Sequence, residues 1–205
     1  MLIQVKAHVC GLTLSRFARE NIDSRTGSRR ELGYLKPVMR RDFLESNALA
    51  YREDMRLAED FDLYTRALKA GARFSLVDPC GYFSVDYPNS LSKEYASTDM
   101  KPVLERDIEL LSAPGLSAEE RRAIGDHKLL WHKNWSWMRL IESVRARDPL
   151  GVARAFIAPP QVAGALVLRC FRHLSGQAPV AQQTHRTARL QDIETILSAS
   201  ADPGS

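Results

Sequence analysis

A chain of 205 residues with 44% apolar content is long enough for one substantial core, or for a small domain with a helical extension. Its formal charge of +4, from 29 basic and 25 acidic residues, is scattered over many segments, and no zinc-finger or helix-turn-helix spacing accompanies it, so nucleic acid is not an expected partner. Three distant cysteines, Cys10, Cys80 and Cys170, argue against a disulfide framework and a structural zinc site, and the N-terminus lacks a signal peptide's apolar run; a cytoplasmic location is the expectation.

In chain order, residues 1–32 read as an irregular, mobile segment, because Arg16, Arg19, Arg25, Arg29 and Arg30 crowd a stretch with few apolar anchors. Residues 34–39 read as a short strand, demoted by Pro37 toward a sheet edge or an irregular segment. Asp42 is expected to N-cap a short helix carrying Phe43, Leu44 and Leu49. A second helix begins near Glu59, sets Phe61, Tyr64 and Leu68 on one face, and stops at Gly71. Residues 73–77 and 82–85 alternate like strands around a turn at Asp78-Pro79-Cys80-Gly81.

Beyond Ser92 the pattern is helical. Leu104, Ile108 and Leu111 mark one helix, and Ser117 with Glu120 has the spacing of a capping box opening a long one. Its predicted buried stripe is Ile124, Trp131, Trp135, Met138 and Ile141, widened by Trp137, Leu140 and Val144, and Asp148-Pro149 ends it. Pro159-Pro160 divides two further helices. Residues 162–171 are apolar nearly all round and too short to span a bilayer, which takes about 20 residues, so core packing is expected and peripheral membrane contact is the second reading. Leu190, Ile193 and Leu197 suggest a last short helix. The expected organisation is a mobile segment over 1–32, a mixed α and β unit over 33–95, a helical extension over 96–197 and a disordered tail over 198–205.

The acidic pair Glu59-Asp60, at the mouth of an amphipathic helix, is the strongest chemical signal. A carboxylate in a helix's first turn sits among exposed N–H groups that favour its ionised form, which suits a general base. An isolated acidic pair more often only opens a helix, and context decides. Gly33-Tyr34-Leu35-Lys36-Pro37-Val38-Met39-Arg40-Arg41-Asp42-Phe43-Leu44, Tyr51-Arg52-Glu53, Ala58-Glu59-Asp60-Phe61-Asp62-Leu63-Tyr64, Ala70-Gly71-Ala72-Arg73-Phe74, Tyr82-Phe83 and Asn89-Ser90-Leu91-Ser92 resemble, in order and spacing, the C-terminal half of bacterial family 2 glycosyltransferases, above all those that build exopolysaccharides such as succinoglycan.

The resemblance implies an α/β chain of mixed α and β type: part of a glycosyltransferase-A fold without its N-terminal nucleotide-binding half, followed by an α-helical extension. It implies Asp60 as catalytic base of an inverting sugar transfer, Glu59 beside it in the acceptor pocket, and Lys36, Arg40 and Ser90 as acceptor-binding residues, with Arg41 and Ser92 near them. The family often has a basic residue shortly before that serine pair, where this chain has Asp86, Tyr87 and Pro88. Asp60-Phe61-Asp62 matches a metal-binding DxD only in letters, since it enters a helix instead of ending a buried strand. The nucleotide site needs roughly 100 residues upstream of the acid pair, whereas 58 precede Glu59 here. No cofactor is therefore expected in this chain, while a full-length form implies a nucleotide sugar and Mg or Mn. The expected partners are a sugar acceptor, lipid-linked in one reading, and a second chain that supplies the nucleotide half. The alternative is a non-catalytic interaction module.

Overall fold

The computed structural model describes residues 10–22, 32, 35–76 and 95–176. Within them lie seven helices and one pair of short strands: β1 (Cys10–Leu12), α1 (Leu14–Glu20), α2 (Arg41–Ser46), α3 (Glu59–Lys69), β2 (Phe74–Leu76), α4 (Ser97–Ser112), α5 (Ala118–Arg145), α6 (Pro149–Ala155) and α7 (Pro160–Leu174). The strand expected over 73–77 is present as β2. It pairs antiparallel with β1, Cys10 opposite Leu76 and Leu12 opposite Phe74. The partner expected at 82–85 lies outside the described residues, as do the turn before it and the last helix around Leu190.

The first departure from expectation is at the N-terminus, where residues 10–20 are ordered core structure instead of a mobile segment. Thr13 caps α1 by accepting the Arg16 N–H at 3.2 Å, and Leu14, Phe17 and Ala18 turn inward, with Phe17 and Ala18 at 0% exposure. The arginines that read as solvated lie on the outer side of this helix, where Arg16 pairs with Glu20 and Arg19 reaches Glu119 of α5. Residues 35–40 form no strand, as Pro37 already disfavoured. Asp42 sits inside the first turn of α2, not before it, and Leu49 falls beyond the helix end.

Helix α3 follows its pattern closely. Ala58 adopts a left-handed conformation, φ 56°, that turns the chain into the helix, and Gly71, φ 90°, ends it. Phe61, Leu63 and Tyr64 join Leu12, Leu14, Phe17, Ala18, Ala123 and Ile124 in one core cluster. An aromatic ladder runs through it: Phe17 stacks on Phe61 with centroids 5.4 Å apart, and Phe61 stacks on His127 at 3.8 Å and 10°.

A buried polar joint completes this junction. The His127 ring nitrogen Nδ1 is 2.8 Å from Asp107 Oδ2, both side chains being 2% exposed, and Trp131 donates its indole N–H to His127 Nε2 at 3.0 Å. Because an indole nitrogen only donates, Nε2 must be the accepting nitrogen. The imidazole is therefore the neutral Nδ1–H tautomer, donating to Asp107. This joint explains why the inward face of α4 is rotated from the predicted one. Met100, Val103, Leu104 and Asp107 face inward, and Ile108 is 51% exposed.

The capping box of α5 forms as predicted, Ser117 and Glu120 satisfying each other's backbone N–H groups. Its burial differs from a single stripe. Helices α1, α4, α6 and α7 all pack against it, so Ala123, Ile124, His127, Ser136 and Leu140 are buried, the tryptophans are half-buried, and Val144 is exposed. Glu142 of α5 also reaches back to the start of α4, accepting the Ser97 N–H at 2.8 Å and its hydroxyl at 2.6 Å. Pro149 and Pro160 occupy first-turn positions of α6 and α7. In α7 only one side is in the core: Val162 and Leu166 are buried, while Val167, Leu168 and Phe171 are exposed, which corrects the expectation of full core packing.

Candidate functional site

Asp60 stands on the second residue of α3, at the edge of the core that Phe61 and Tyr64 fill, and its side chain keeps 21% of its exposure. Tyr51 donates its hydroxyl proton to Asp60 Oδ1 at 2.7 Å. The Tyr64 hydroxyl lies 3.3 Å from the same oxygen and 3.0 Å from the Leu35 carbonyl, so its single proton is shared between them. Partial burial raises the pKa of both phenols, and the Asp60 carboxylate adds to the effect at each. Both stay protonated, and so remain donors, at neutral pH. Oδ1 is thereby occupied, while Oδ2 faces the Lys36 ammonium at 3.9 Å and accepts no hydrogen bond among the described residues.

Lys36 connects this carboxylate to a cleft of about 960 Å³ walled by residues 35–47 on one side and 67–76 on the other. Lys36, Arg40, Asn47 and Arg73 are among its lining residues; Asp60 is not. Arg40 is spoken for. Its guanidinium grips Asp42 through Nε at 3.2 Å and Nη2 at 2.7 Å, and that hydrogen bonding, with the Phe43 N–H, holds the Asp42 carboxyl below the usual range. Arg40 thus lines the cleft with its charge already matched. Glu59 is half-buried and makes no hydrogen bond or ion pair among the described residues. Arg41 is exposed on α2. Ser90 and Ser92 lie outside the described residues, as do residues 86–88 before them.

The two carboxylates of the DxD letters have different partners. Asp62 is 6% exposed and faces away from Asp60, gripped by Arg66 through Nε at 2.8 Å and Nη2 at 2.6 Å, while Asp60 is held by two tyrosines. Two carboxylates committed to different partners do not converge on a hard cation. Among the described residues no group of three His, Cys, Asp or Glu side chains is placed to hold a metal.

The sequence left Tyr51 and Tyr64 without a role. Tyr64 carried a signal, since residues four apart on a helix share a face and Asp60 is its i−4 neighbour. Tyr51 carried none, because only the turn formed by residues 52–58 brings it back against Asp60.

Comparison with known proteins adds two relatives. The chain is similar to the succinoglycan biosynthesis protein ExoU of Rhizobium meliloti (strain 1021), with 34% identity over 180 residues that cover 83% of this chain and 52% of that protein. It is also similar to the succinoglycan biosynthesis protein ExoO of the same organism, 27% identical over 177 residues that cover 86% of this chain and 47% of the relative. The chain spans about half the length of each. No family model matches it, and no solved structure matches it.

Proposed function

We propose that this chain is the acceptor side of an inverting, nucleotide-sugar-dependent family 2 glycosyltransferase of exopolysaccharide biosynthesis, with Asp60 as the general base. The similarity to two succinoglycan biosynthesis proteins supports the pathway. The observation that carries the chemistry is the asymmetric dressing of Asp60: two phenols anchor Oδ1, and Oδ2 is open beside Lys36. A base fixed by one oxygen and free at the other is held in orientation without being neutralised.

In the step this arrangement serves, the acceptor hydroxyl gives its proton to Asp60 Oδ2. Its oxygen forms a bond to the anomeric carbon from the face opposite the leaving group. The bond from that carbon to the nucleoside diphosphate breaks, and the electron pair leaves with the diphosphate. Lys36, at the junction of Asp60 and the cleft, is placed to orient an acceptor that extends into the cleft, where Arg73 and Asn47 offer further donors. Glu59 holds the adjoining position at the start of α3 and is not among the cleft's lining residues.

In this reading the nucleotide sugar and its divalent ion, which meet the charge of the departing diphosphate, are held by a donor half that this chain does not supply, in keeping with its spanning about half the length of each relative. The chain alone is accordingly expected to transfer no sugar from any nucleotide sugar with Mg or Mn, and calorimetric titration with nucleotide sugars is expected to give no heat of binding. Robust turnover by this chain alone, lost in Asp60→Asn, would overturn the assignment of the donor site to another half while upholding the base.

A further inference from the structure

Helix α7 has two apolar sides. One is used: Val162 and Leu166 pack toward the body of the protein, and the helix is pinned to α5 by Arg169 over the Trp137 ring at 4.7 Å and by the contact of His173 with Trp137. The other is bare. At 100° per residue, Val167, Leu168, Phe171 and Leu174 fall within an arc of about 120° on the opposite side, and they are 58, 49, 65 and 87% exposed. Arg172 borders this arc beside Leu168 and is also exposed.

The sequence on either side of this helix carries one sign of charge. No Asp or Glu occurs between Asp148 and Asp192, a stretch that holds five arginines, Arg154, Arg169, Arg172, Arg186 and Arg189. Among the described residues, Arg154 and Arg172 pair with no carboxylate, and Arg169 has only neutral partners, Trp137 and the Asn134 side-chain oxygen at 3.4 Å. An apolar crest bordered by an arginine, in a stretch of sequence without acids, is the pattern of a helix that lies in a membrane interface. Anionic headgroups supply mobile counter-charge along such a face, whereas a protein groove would have to match each arginine in place. Among the described residues no helix is long and apolar enough to cross a membrane, so the contact is with the surface.

We infer that α7 docks this chain on an anionic lipid bilayer, its axis in the membrane plane, with Val167, Leu168, Phe171 and Leu174 at the acyl boundary and Arg172 at the headgroup phosphates. The inference is independent of Asp60 and of sugar transfer.

Flotation of the 205-residue chain with vesicles tests it. Binding is expected to vesicles of phosphatidylcholine mixed with phosphatidylglycerol, to weaken as salt is raised, and to be slight with phosphatidylcholine alone. Phe171→Asp and Leu174→Asp, at exposed positions where the helix signal by circular dichroism should be unchanged, are each expected to lower partitioning about tenfold or more. Arg172→Glu should weaken binding to the anionic vesicles. Ile108→Asp, which adds the same charge at an exposed position on α4, should have a much smaller effect. Absence of vesicle binding, equal binding to neutral vesicles, or equal losses in Ile108→Asp and Phe171→Asp would overturn the inference. So would self-association by analytical ultracentrifugation that is abolished in Phe171→Asp without any vesicle binding, which would make the crest a contact between two copies of this chain.

Discussion

Replacing Asp107 and His127 separately and together gives a test of the joint that ties α3, α4 and α5. Asp107→Leu removes the acceptor of a buried imidazole N–H; leaving such a donor unpaired costs about 1–3 kcal/mol. His127→Phe keeps a ring against Phe61, 3.8 Å away in the native stack, but strands a carboxylate that is 2% exposed. That loss should cost about 3 kcal/mol or more, since an uncompensated buried carboxylate must protonate or open the structure to water. In the double variant both polar groups are gone and an apolar pair fills similar space, so its cost should be lower than that of His127→Phe alone. The coupling energy in a urea-denaturation cycle is expected to be about 2–3 kcal/mol.

The same joint sets a pH dependence. Burial raises the Asp107 carboxyl above its ordinary value of 3.8, partly offset by the hydrogen bond from His127. The folded state thus holds this proton more tightly than the unfolded chain. Its contribution to stability is complete below 3.8 and declines as pH rises through the raised value. Asp107→Leu should remove that decline. Additivity of the two single variants within about 0.5 kcal/mol, or an unchanged pH profile in Asp107→Leu, would refute the reasoning.

Three further outcomes follow from particular contacts. Phe17→Ala, at a site with 0% exposure inside the aromatic ladder, should destabilise the chain by about 3–5 kcal/mol in denaturant melts, and a surface-like value under about 0.5 kcal/mol would mean that α1 is not part of the core. Glu142→Ala should cost about 1–2 kcal/mol by leaving the Ser97 N–H and hydroxyl at the start of α4 without their acceptor, with faster amide exchange in that first turn. Tyr64→Phe should lose about 1 kcal/mol through its bonds to the Leu35 carbonyl and Asp60, measured by thermal unfolding.

What the sequence made legible was local. The limits of α3, the capping box of α5 and the helix breaks at Asp148-Pro149 and Pro159-Pro160 are decided by residues within a few positions of one another, and they appear where expected. What it hid depends on distant partners. Residues 14–20 looked solvated because they open a longer arginine-rich stretch with few apolar anchors, yet Leu14, Phe17 and Ala18 share one side, and Phe17 stacks on Phe61 in the core. The face of α4 was misplaced because a buried Asp107 does not count as core until His127, twenty residues later, is known to meet it. At the candidate site Asp60 and the lysine beside it were named from sequence. The two tyrosines whose hydroxyls meet Asp60 were not, and the cleft wall that pairs Arg40 with Asp42 shows that the Arg40 charge is already engaged.

The most direct test of the central claim is the rate of sugar transfer by a form that joins this chain to a nucleotide-sugar-binding half, measured with Asp60 and with Asn in its place. Asparagine keeps an oxygen for the Tyr51 and Tyr64 hydroxyls, so folding should be preserved within about 1 kcal/mol, while loss of the proton acceptor should lower kcat by about 10²–10⁴-fold. A folded Asp60→Asn variant that transfers sugar at the parent rate would contradict the assignment of Asp60 as the base.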